Sequence, residues 1–139
     1  MVFSLLLSLI FATLGLIHWN WVFGGTFGFA QAIPTNKNGE RVLNPGKVDS
    51  AIVGLGLMAF AAFYLIISGI LTVHVPQWVL SYGKWIVPGI FMLRAIGDFR
   101  YVGFFKGVKQ TEFAQMDTRL FSPLCLLIGI IGFALAIFN

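Results

Sequence analysis

The charged and titratable residues that could support chemistry are few, and most of them border long apolar stretches of the chain. Only 10% of the 139 residues are charged, whereas 58% are hydrophobic. Arg94 and Asp98 are four residues apart, a spacing at which an arginine and a carboxylate on one helix can pair directly. Asp117 and Arg119 precede the last apolar stretch, and His18 stands near the end of the first. Ionisable residues in apolar helices usually face the protein interior, so each of these residues is a candidate site residue.

Two interpretations of the arginines and aspartates compete. In the first, Arg94 pairs with Asp98 and Asp117 pairs with Arg119, and both pairs only fix the adjoining loop. In the second, Arg100 joins the other arginines, and their surplus positive charge forms a pocket for a phosphate or another anionic headgroup. In that pocket the arginines would contact the polar head of the ligand, and the two aspartates would orient the arginines.

His18 is open to three interpretations. A histidine beside Trp19 on a helix face of small residues is most often part of the hydrogen-bonded structure. Histidine is also the side chain that titrates closest to neutral pH, so His18 suits proton transfer with Asp98 or Asp117 in a small membrane enzyme. If the arginines form an anion pocket, His18, Trp19 and Trp21 would instead line its entrance.

The composition excludes several classes of protein. A soluble domain carries about 25% charged residues, and nine lysines and arginines in so apolar a chain make no stripe for nucleic acid. The single cysteine, Cys125, can form neither a disulfide within the chain nor a thiolate metal cluster. If the apolar stretches of the chain cross a membrane, His18 and His74 stand at opposite edges of its core, about 25–30 Å apart, which disfavours haem held by two histidines. The sequence predicts no metal site and leaves the cofactor and any reaction undetermined.

Four apolar stretches are long enough to cross a membrane as helices, which requires about 20 residues each. They run approximately over residues 2–23, 50–73, 78–97 and 120–138. A signal peptide is the competing interpretation of the first stretch, but no Lys or Arg precedes its apolar run, which is longer than usual. Backbone groups in lipid must pair internally, which favours helices. The sequence therefore predicts a single all-α domain over residues 1–139, a bundle of four transmembrane helices.

Positive charge is distributed unevenly between the connections. The segments 24–49 and 98–119 hold seven lysines and arginines, whereas the other side of the predicted membrane has only Lys84 within reach. Cytoplasmic loops are enriched in Lys and Arg, so we expect both long loops in the cytoplasm and both termini outside. The candidate site then lies near the cytoplasmic boundary, and the aromatic residues Trp78, Tyr82 and Trp85 lie at the outer end of the third span.

Small residues predict which helix faces pack against each other. In lipid, helices associate where small side chains let their backbones approach closely. Such residues recur at helical spacing in the first, second and fourth spans: Ser4, Ser8, Ala12 and Gly15; Ser50, Gly54 and Ala61; Gly129, Gly132 and Ala136. At the start of the fourth span, Asp117 or Ser122 is the expected N-cap.

Several short motifs occur together over nearly the whole chain. They are His18-Trp19 through Gly24-Gly25, Ala32-Ile33-Pro34, the run from Gly97 to Lys106, Asp117-Thr118-Arg119 and Ser122-Pro123-Leu124-Cys125. In this combination the chain resembles a family of small, uncharacterised bacterial membrane proteins with four helices. The resemblance implies a bacterial protein that crosses the inner (cytoplasmic) membrane several times. It implies no activity.

The sequence leads to one functional prediction and two alternatives. The prediction is a protein that binds a lipophilic or amphipathic anionic small molecule, such as a lipid or a quinone, near the cytoplasmic boundary. The alternatives are an accessory or assembly subunit of a larger membrane complex and a small membrane enzyme. The expected partners are membrane lipid, a lipophilic ligand, and a larger complex or further copies of the chain, but not nucleic acid.

Overall fold

The structure, a computed structural model, describes residues 1–36, 38, 40, 41 and 46–138. Its regular structure is helical: α1 (Val2–Val22), α2 (Phe29–Ala32), α3 (Lys47–Ser68), α4 (Gln77–Ile96), α5 (Glu112–Met116) and α6 (Ser122–Phe138). A π-helical turn, Asp117–Phe121, connects α5 to α6. Within the described residues, the strand-like pairing is limited to an isolated bridge between Thr35 and Arg41.

Four helices of the described chain are long and apolar enough to cross a membrane. They are Val2–Val22, Lys47–Ser68, Gln77–Ile96 and the continuous helical segment Glu112–Phe138. The predicted all-helical fold with four apolar helices is therefore confirmed, and the chain is a multi-pass membrane protein. The orientation of the termini and the arrangement of the helices as one bundle stay predictions.

The boundaries of the second and fourth spans differ from those predicted. The second span ends at Ser68 rather than at residue 73, because Gly69 adopts a φ of 86°. This left-handed conformation terminates helices and strongly favours glycine. The fourth helical segment begins at Glu112 rather than at residue 120. Its first turns are polar, so hydropathy alone did not mark them as helix.

The N-caps predicted for the fourth span, the helical segment Glu112–Phe138, are wrong. Thr111 is the cap, and its hydroxyl oxygen accepts a hydrogen bond of 3.0 Å from the amide of Ala114. Asp117 and Ser122 lie inside the helical segment instead, on either side of the π-helical turn, where the Ser122 amide donates to the Asp117 carbonyl. Pro123 follows directly and has no amide hydrogen to continue the usual bonding pattern. The wider turn thus lies where proline would interrupt an α-helix.

The chain forms two compact units. The first unit contains Met1–Phe27, Pro45–Val87 and Ile131–Asn139, and the second contains Gly28–Asn44 and Pro88–Ile130.

In the first unit, α1 packs against α3 through small residues. The Ser8 hydroxyl donates a hydrogen bond of 2.8 Å to the Ala61 carbonyl. A Cβ atom on Gly54 would lie 3.0 Å from Nε1 of Trp19, and one on Gly15 would lie equally close to Met58. The two helices run antiparallel, since early residues of α1 meet late residues of α3. Of the small residues predicted for these faces, Ser8, Gly15, Gly54 and Ala61 lie at the contact.

In the second unit, glycines let the chain reverse closely against the end of α4. Gly97 and Gly103 have φ values of 84° and 91°. A Cβ on either residue would collide with backbone atoms, of Val102 and Ile96 respectively. The reversal is closed by the Phe104 amide, which donates to the Ala95 carbonyl at 2.8 Å. This return of the chain brings the backbone of the loop into hydrogen-bonding contact with Asp117.

Candidate functional site

Asp117 is the centre of a polar cluster in the second unit. Its side chain is fully buried. Oδ1 accepts a hydrogen bond of 2.8 Å from Nη2 of Arg94. Oδ2 accepts from the Gly103 amide at 2.8 Å and from the Ser122 hydroxyl at 3.0 Å. A carboxylate removed from water needs such donors, because an unpaired charge in an apolar environment is very costly.

Lys106 is the second cation of the cluster and is almost completely buried. Its Nζ lies 3.1 Å from Oδ2 of Asp117. The ammonium group also donates to the Gly103 carbonyl at 2.9 Å and to the Thr118 hydroxyl. All three hydrogens of this ammonium group therefore have an acceptor. We refer to Arg94, Lys106 and Asp117 as the Asp117 cluster.

Arg94 leaves one nitrogen of its guanidinium unused. Nη2 binds Asp117, whereas Nη1 is buried and has no hydrogen-bond partner among the described residues. Its side chain as a whole is 30% exposed, so the guanidinium lies near the edge of the cluster. Buried donors are nearly always satisfied in folded proteins, and an exception calls for an explanation. With two cations and one carboxylate, the cluster carries one net positive charge.

The predicted pairing of Arg94 with Asp98 does not occur. Arg94 turns to Asp117, and Asp98 is exposed in the loop after α4, where one carboxylate oxygen accepts from the amides of Arg100, Tyr101 and Val102 at 2.8–3.0 Å. Partial burial would by itself raise the pKa of Asp98, but these amide hydrogen bonds outweigh it and lower the pKa below its ordinary value of 3.8. The same bonds enclose Phe99, whose φ of 65° is unusual for a bulky residue.

Arg100 and Arg119 lie outside the cluster. Both side chains are exposed, and the Arg100 guanidinium stacks over the ring of its neighbour Tyr101 at 5.0 Å. The predicted Asp117–Arg119 pair is absent from the ion pairs of the described residues, in which Asp117 binds Arg94 and Lys106 instead. Two residues along a helix point in different directions, so Arg119 cannot follow Asp117 into the interior.

His18, Trp19 and Trp21 lie in the first unit and form local contacts there. His18 Nδ1 is 2.8 Å from the Leu14 carbonyl, so this nitrogen carries the proton that it donates. Trp21 packs against the His18 ring at 4.6 Å, and its indole donates to the Phe27 carbonyl at 2.6 Å. Trp19 packs beside Gly54 of α3. These contacts fit the structural interpretation of His18, and a role for the three residues at a ligand entrance stays a prediction.

Sequence reasoning did not include Lys106, Gly103 and Ser122 in the candidate site. Lys106 was counted only as a marker of the cytoplasmic side, and no pattern in its neighbouring residues distinguishes it from the exposed lysines of the loops. Gly103 contributes its backbone amide, which no side-chain pattern marks. Ser122 was predicted as a cap and is instead a hydroxyl donor to Asp117.

The hydrogen-bonding capacity left in the cluster lies on a cation rather than on the carboxylate. Both oxygens of Asp117 accept hydrogen bonds, Oδ1 from Arg94 and Oδ2 from Gly103 and Ser122. Within the described ranges, no group of His, Cys, Asp and Glu residues is placed to hold a metal ion. The group with unused capacity is the Arg94 guanidinium, which can donate a charge-assisted hydrogen bond to an oxygen of an anion.

Comparison with known proteins identifies a family without an assigned activity. No curated protein and no solved structure matches the chain significantly. The match that does occur spans residues 11–132, which contain the whole Asp117 cluster and both tryptophans of α1. The chain belongs to the family described as protein of unknown function, DUF3995.

Proposed function

We propose that the protein binds the anionic head of a lipophilic or amphipathic small molecule at the Asp117 cluster. The observation that carries the proposal is Nη1 of Arg94, which is buried and has no partner among the described residues. A phosphate or carboxylate oxygen would supply the missing acceptor. Guanidinium groups are well suited to such oxygens, because they donate several parallel hydrogen bonds.

The charge of the cluster favours an anion over a neutral ligand. Asp117 neutralises one of the two cations that it contacts, so one positive charge remains uncompensated. The exposed side chains of Arg100 and Arg119 belong to the same unit and add to this positive potential. A neutral quinone would satisfy the nitrogen through a carbonyl oxygen but would leave the charge unbalanced. A lipid with an anionic headgroup satisfies both requirements.

Aromatic residues near the cluster suit the apolar part of such a ligand. Phe99 and Phe105 are 66% and 63% exposed, and their rings lie 6.2 Å apart. Aromatic side chains interleaved with cations are typical of segments at the headgroup level of a membrane. In this proposal the loop lies on the cytoplasmic side, as the distribution of positive charge predicts, and the membrane is the bacterial inner membrane that the resemblance of the chain implies.

The test replaces Arg94 by lysine. The Arg94→Lys variant keeps a cation beside Asp117 but removes the second guanidinium nitrogen. Native mass spectrometry of the delipidated full chain in detergent would measure the binding of phosphatidylglycerol and of phosphatidylcholine with the same acyl chains. Because a charge-assisted hydrogen bond is lost, we expect the variant to bind phosphatidylglycerol about 10-fold more weakly or worse.

A matched control is available in the same unit. Arg41, whose guanidinium lies over the Phe29 ring at 5.1 Å, contacts no residue of the cluster, and Arg41→Lys should bind like the parent protein. Equal affinity of the Arg94→Lys variant and the parent, or equal binding of the two lipids by the parent, would contradict the proposal.

The subunit and enzyme hypotheses make different predictions. A subunit of a larger complex would return one abundant partner after purification in mild detergent, with Arg94→Lys having no effect on its recovery. An enzyme that uses His18 with Asp98 or Asp117 would need a free carboxylate oxygen, and the contacts of Asp117 do not favour that role.

A further inference from the structure

The first unit contains a cleft of about 430 Å³ that the proposed function does not use. Its apolar lining includes Ile66 of α3, Leu80 of α4 and Leu135 of α6. Cavities for small ligands usually have volumes of about 300–1,000 Å³ and combine apolar walls with a few polar groups. This cleft has both features, since Lys84, Ser81 and Tyr64 contribute its polar lining.

Lys84 is the cation of the cleft and lies within a membrane-spanning helix. It is seven residues after the first residue of α4, roughly 10 Å along the helix axis. Both ion pairs formed between described residues involve Asp117, and neither includes Lys84. Ionisable residues inside a span usually face a partner or a cavity. Lys84 faces a cavity, and the described part of the chain supplies no carboxylate to balance it.

Tyr64 is a second polar group in the lining with unused hydrogen-bonding capacity. Its side chain is only 1% exposed, and its hydroxyl has no partner among the described residues. The ring is held firmly, stacked on Phe11 at 5.7 Å and edge-to-face with Phe63 at 5.2 Å. A buried hydroxyl without a partner is costly. An oxygen atom of a ligand seated in the cleft would provide that partner.

Neighbouring aromatic residues indicate the depth of the cleft in the membrane. Trp78 and Tyr82 of α4 are 65% and 64% exposed, a few residues before Lys84. Tryptophan and tyrosine are enriched where a membrane meets water, because their rings are apolar and their tips are polar. The cation thus lies close to the level of lipid headgroups rather than at the centre of the bilayer.

We propose that this cleft is a second lipid site, which binds the anionic head of a membrane amphiphile through Lys84. The lysine ammonium pairs with a phosphate or carboxylate oxygen of the head, and the acyl chain lies along Ile66, Leu80 and Leu135. The site is independent of Arg94, since every residue named for it belongs to the first unit. The charge asymmetry of the loops places it on the periplasmic side.

The experiment counts binding events on the delipidated full chain in detergent by native mass spectrometry. Phosphatidylglycerol and phosphatidylcholine with the same acyl chains are titrated separately, and inorganic phosphate is added as a probe without an acyl chain. We expect Lys84→Gln to lose one phosphatidylglycerol binding event, with affinity reduced about 10- to 100-fold, because the charge-assisted bond is removed. Lys84→Arg, which keeps the charge, should retain it.

Two controls separate this site from the Asp117 cluster and from net charge. Lys109→Gln removes an exposed lysine of the loop after α4 and should bind as the parent does. Arg94→Lys should leave the Lys84-dependent event intact, whether or not the proposed function is correct. Unchanged binding by a folded Lys84→Gln variant would overturn the proposal. So would equal binding of the two lipids at this site, or phosphate binding there as tightly as phosphatidylglycerol.

Discussion

The two units of the chain bury polar groups in contrasting ways. In the second unit, the buried carboxylate of Asp117 accepts hydrogen bonds from three segments of the chain. The donors are Arg94 of α4, Gly103 of the loop after α4 and Ser122 of α6. In the first unit, α1 and α3 approach through glycine and serine, and the hydroxyls of Ser4 and Tyr64 are buried without partners in the described residues. The buried carboxylate of Asp117 is fully engaged by donors, whereas Nη1 of Arg94 and these two hydroxyls have no partner among the described residues.

The difference reflects the cost of each group in an apolar environment. An unpaired carboxylate there costs far more than an unpaired hydroxyl. The stability of the second unit therefore depends on the hydrogen bonds of the Asp117 cluster. The stability of the first unit depends on the close contact between α1 and α3, which tolerates a few unpaired hydroxyls. This contrast between the units predicts four effects of different size.

Removal of the central carboxylate should have the largest effect. Asp117→Ala leaves Arg94 and Lys106 without their counter-charge in a buried site and should lower the free energy of unfolding by about 3–5 kcal/mol. Unfolding by sodium dodecyl sulfate in mixed micelles would measure the change. Asp98→Asn, at an exposed aspartate of the same unit, should change stability far less. A loss below about 1 kcal/mol for Asp117→Ala would show that the second unit does not depend on its cluster.

Enlarging the helix contact of the first unit should have an intermediate effect. A side chain on Gly54 meets the Trp19 indole, whereas nothing lies within 4 Å of a Cβ on Gly56. Gly54→Leu should therefore lower the free energy of unfolding by about 1–3 kcal/mol, as overpacking does. Gly56→Leu, two residues along α3, should be neutral or slightly stabilising, because leucine has the higher helix propensity. Equal effects in the same unfolding assay would contradict the assigned α1–α3 contact.

Two hydroxyl deletions in the first unit should have effects of opposite sign. Tyr64→Phe removes a buried hydroxyl without a partner and should stabilise delipidated protein by about 1 kcal/mol. Ser8→Ala removes a hydroxyl that donates to Ala61, and it should destabilise the protein by about 0.5–1.5 kcal/mol. Thermal unfolding in detergent would compare the variants. Destabilisation by Tyr64→Phe would mean that the hydroxyl has a partner after all.

Acid should weaken the hydrogen bonds between Asp98 and the amides of the loop after α4, and this is the smallest of the four effects. Because the folded-state pKa of Asp98 is lowered, its stabilising contribution is complete above the ordinary value of 3.8 and is lost as the pH falls through the lower folded value. Protection of the amides of Arg100, Tyr101 and Val102 from hydrogen exchange should therefore fall as the pH is lowered below the ordinary value of 3.8. Asp98→Asn, which does not titrate, supplies the reference. If the parent protein and the Asp98→Asn variant lost amide protection in parallel as the pH falls, the Asp98 carboxylate would not be the group that holds this loop.

Much of the architecture follows from local sequence. The four spans are predictable because length and apolar content alone decide whether a helix is stable in lipid. Ser8, Gly15 and Gly54 were identified as contact residues for a similar reason, since their spacing places small side chains on one helix face. The polar start of the last helix, from Glu112, escaped detection because hydropathy responds to apolar side chains, whereas Thr111 begins this helix by capping.

The candidate site was predicted only in part. Arg94 and Asp117 were among the candidates because charges next to apolar helices are rare. Their pairing was not predicted, since the nearer carboxylate, Asp98, is only four residues from Arg94. Asp98 is instead held by the amides of its own loop, and so Arg94 pairs with Asp117, which is 23 residues away.

The sequence by itself determined that this chain is a helical membrane protein with its few charges confined near the ends of its spans. Only the tertiary structure decided which cations share Asp117. That choice requires Gly97 and Gly103 to adopt positive φ values, so that the loop returns to the end of α4 and delivers a backbone amide and Lys106 to the same carboxylate. Helices in lipid are specified by local composition, whereas a buried charge is satisfied by donors from distant segments.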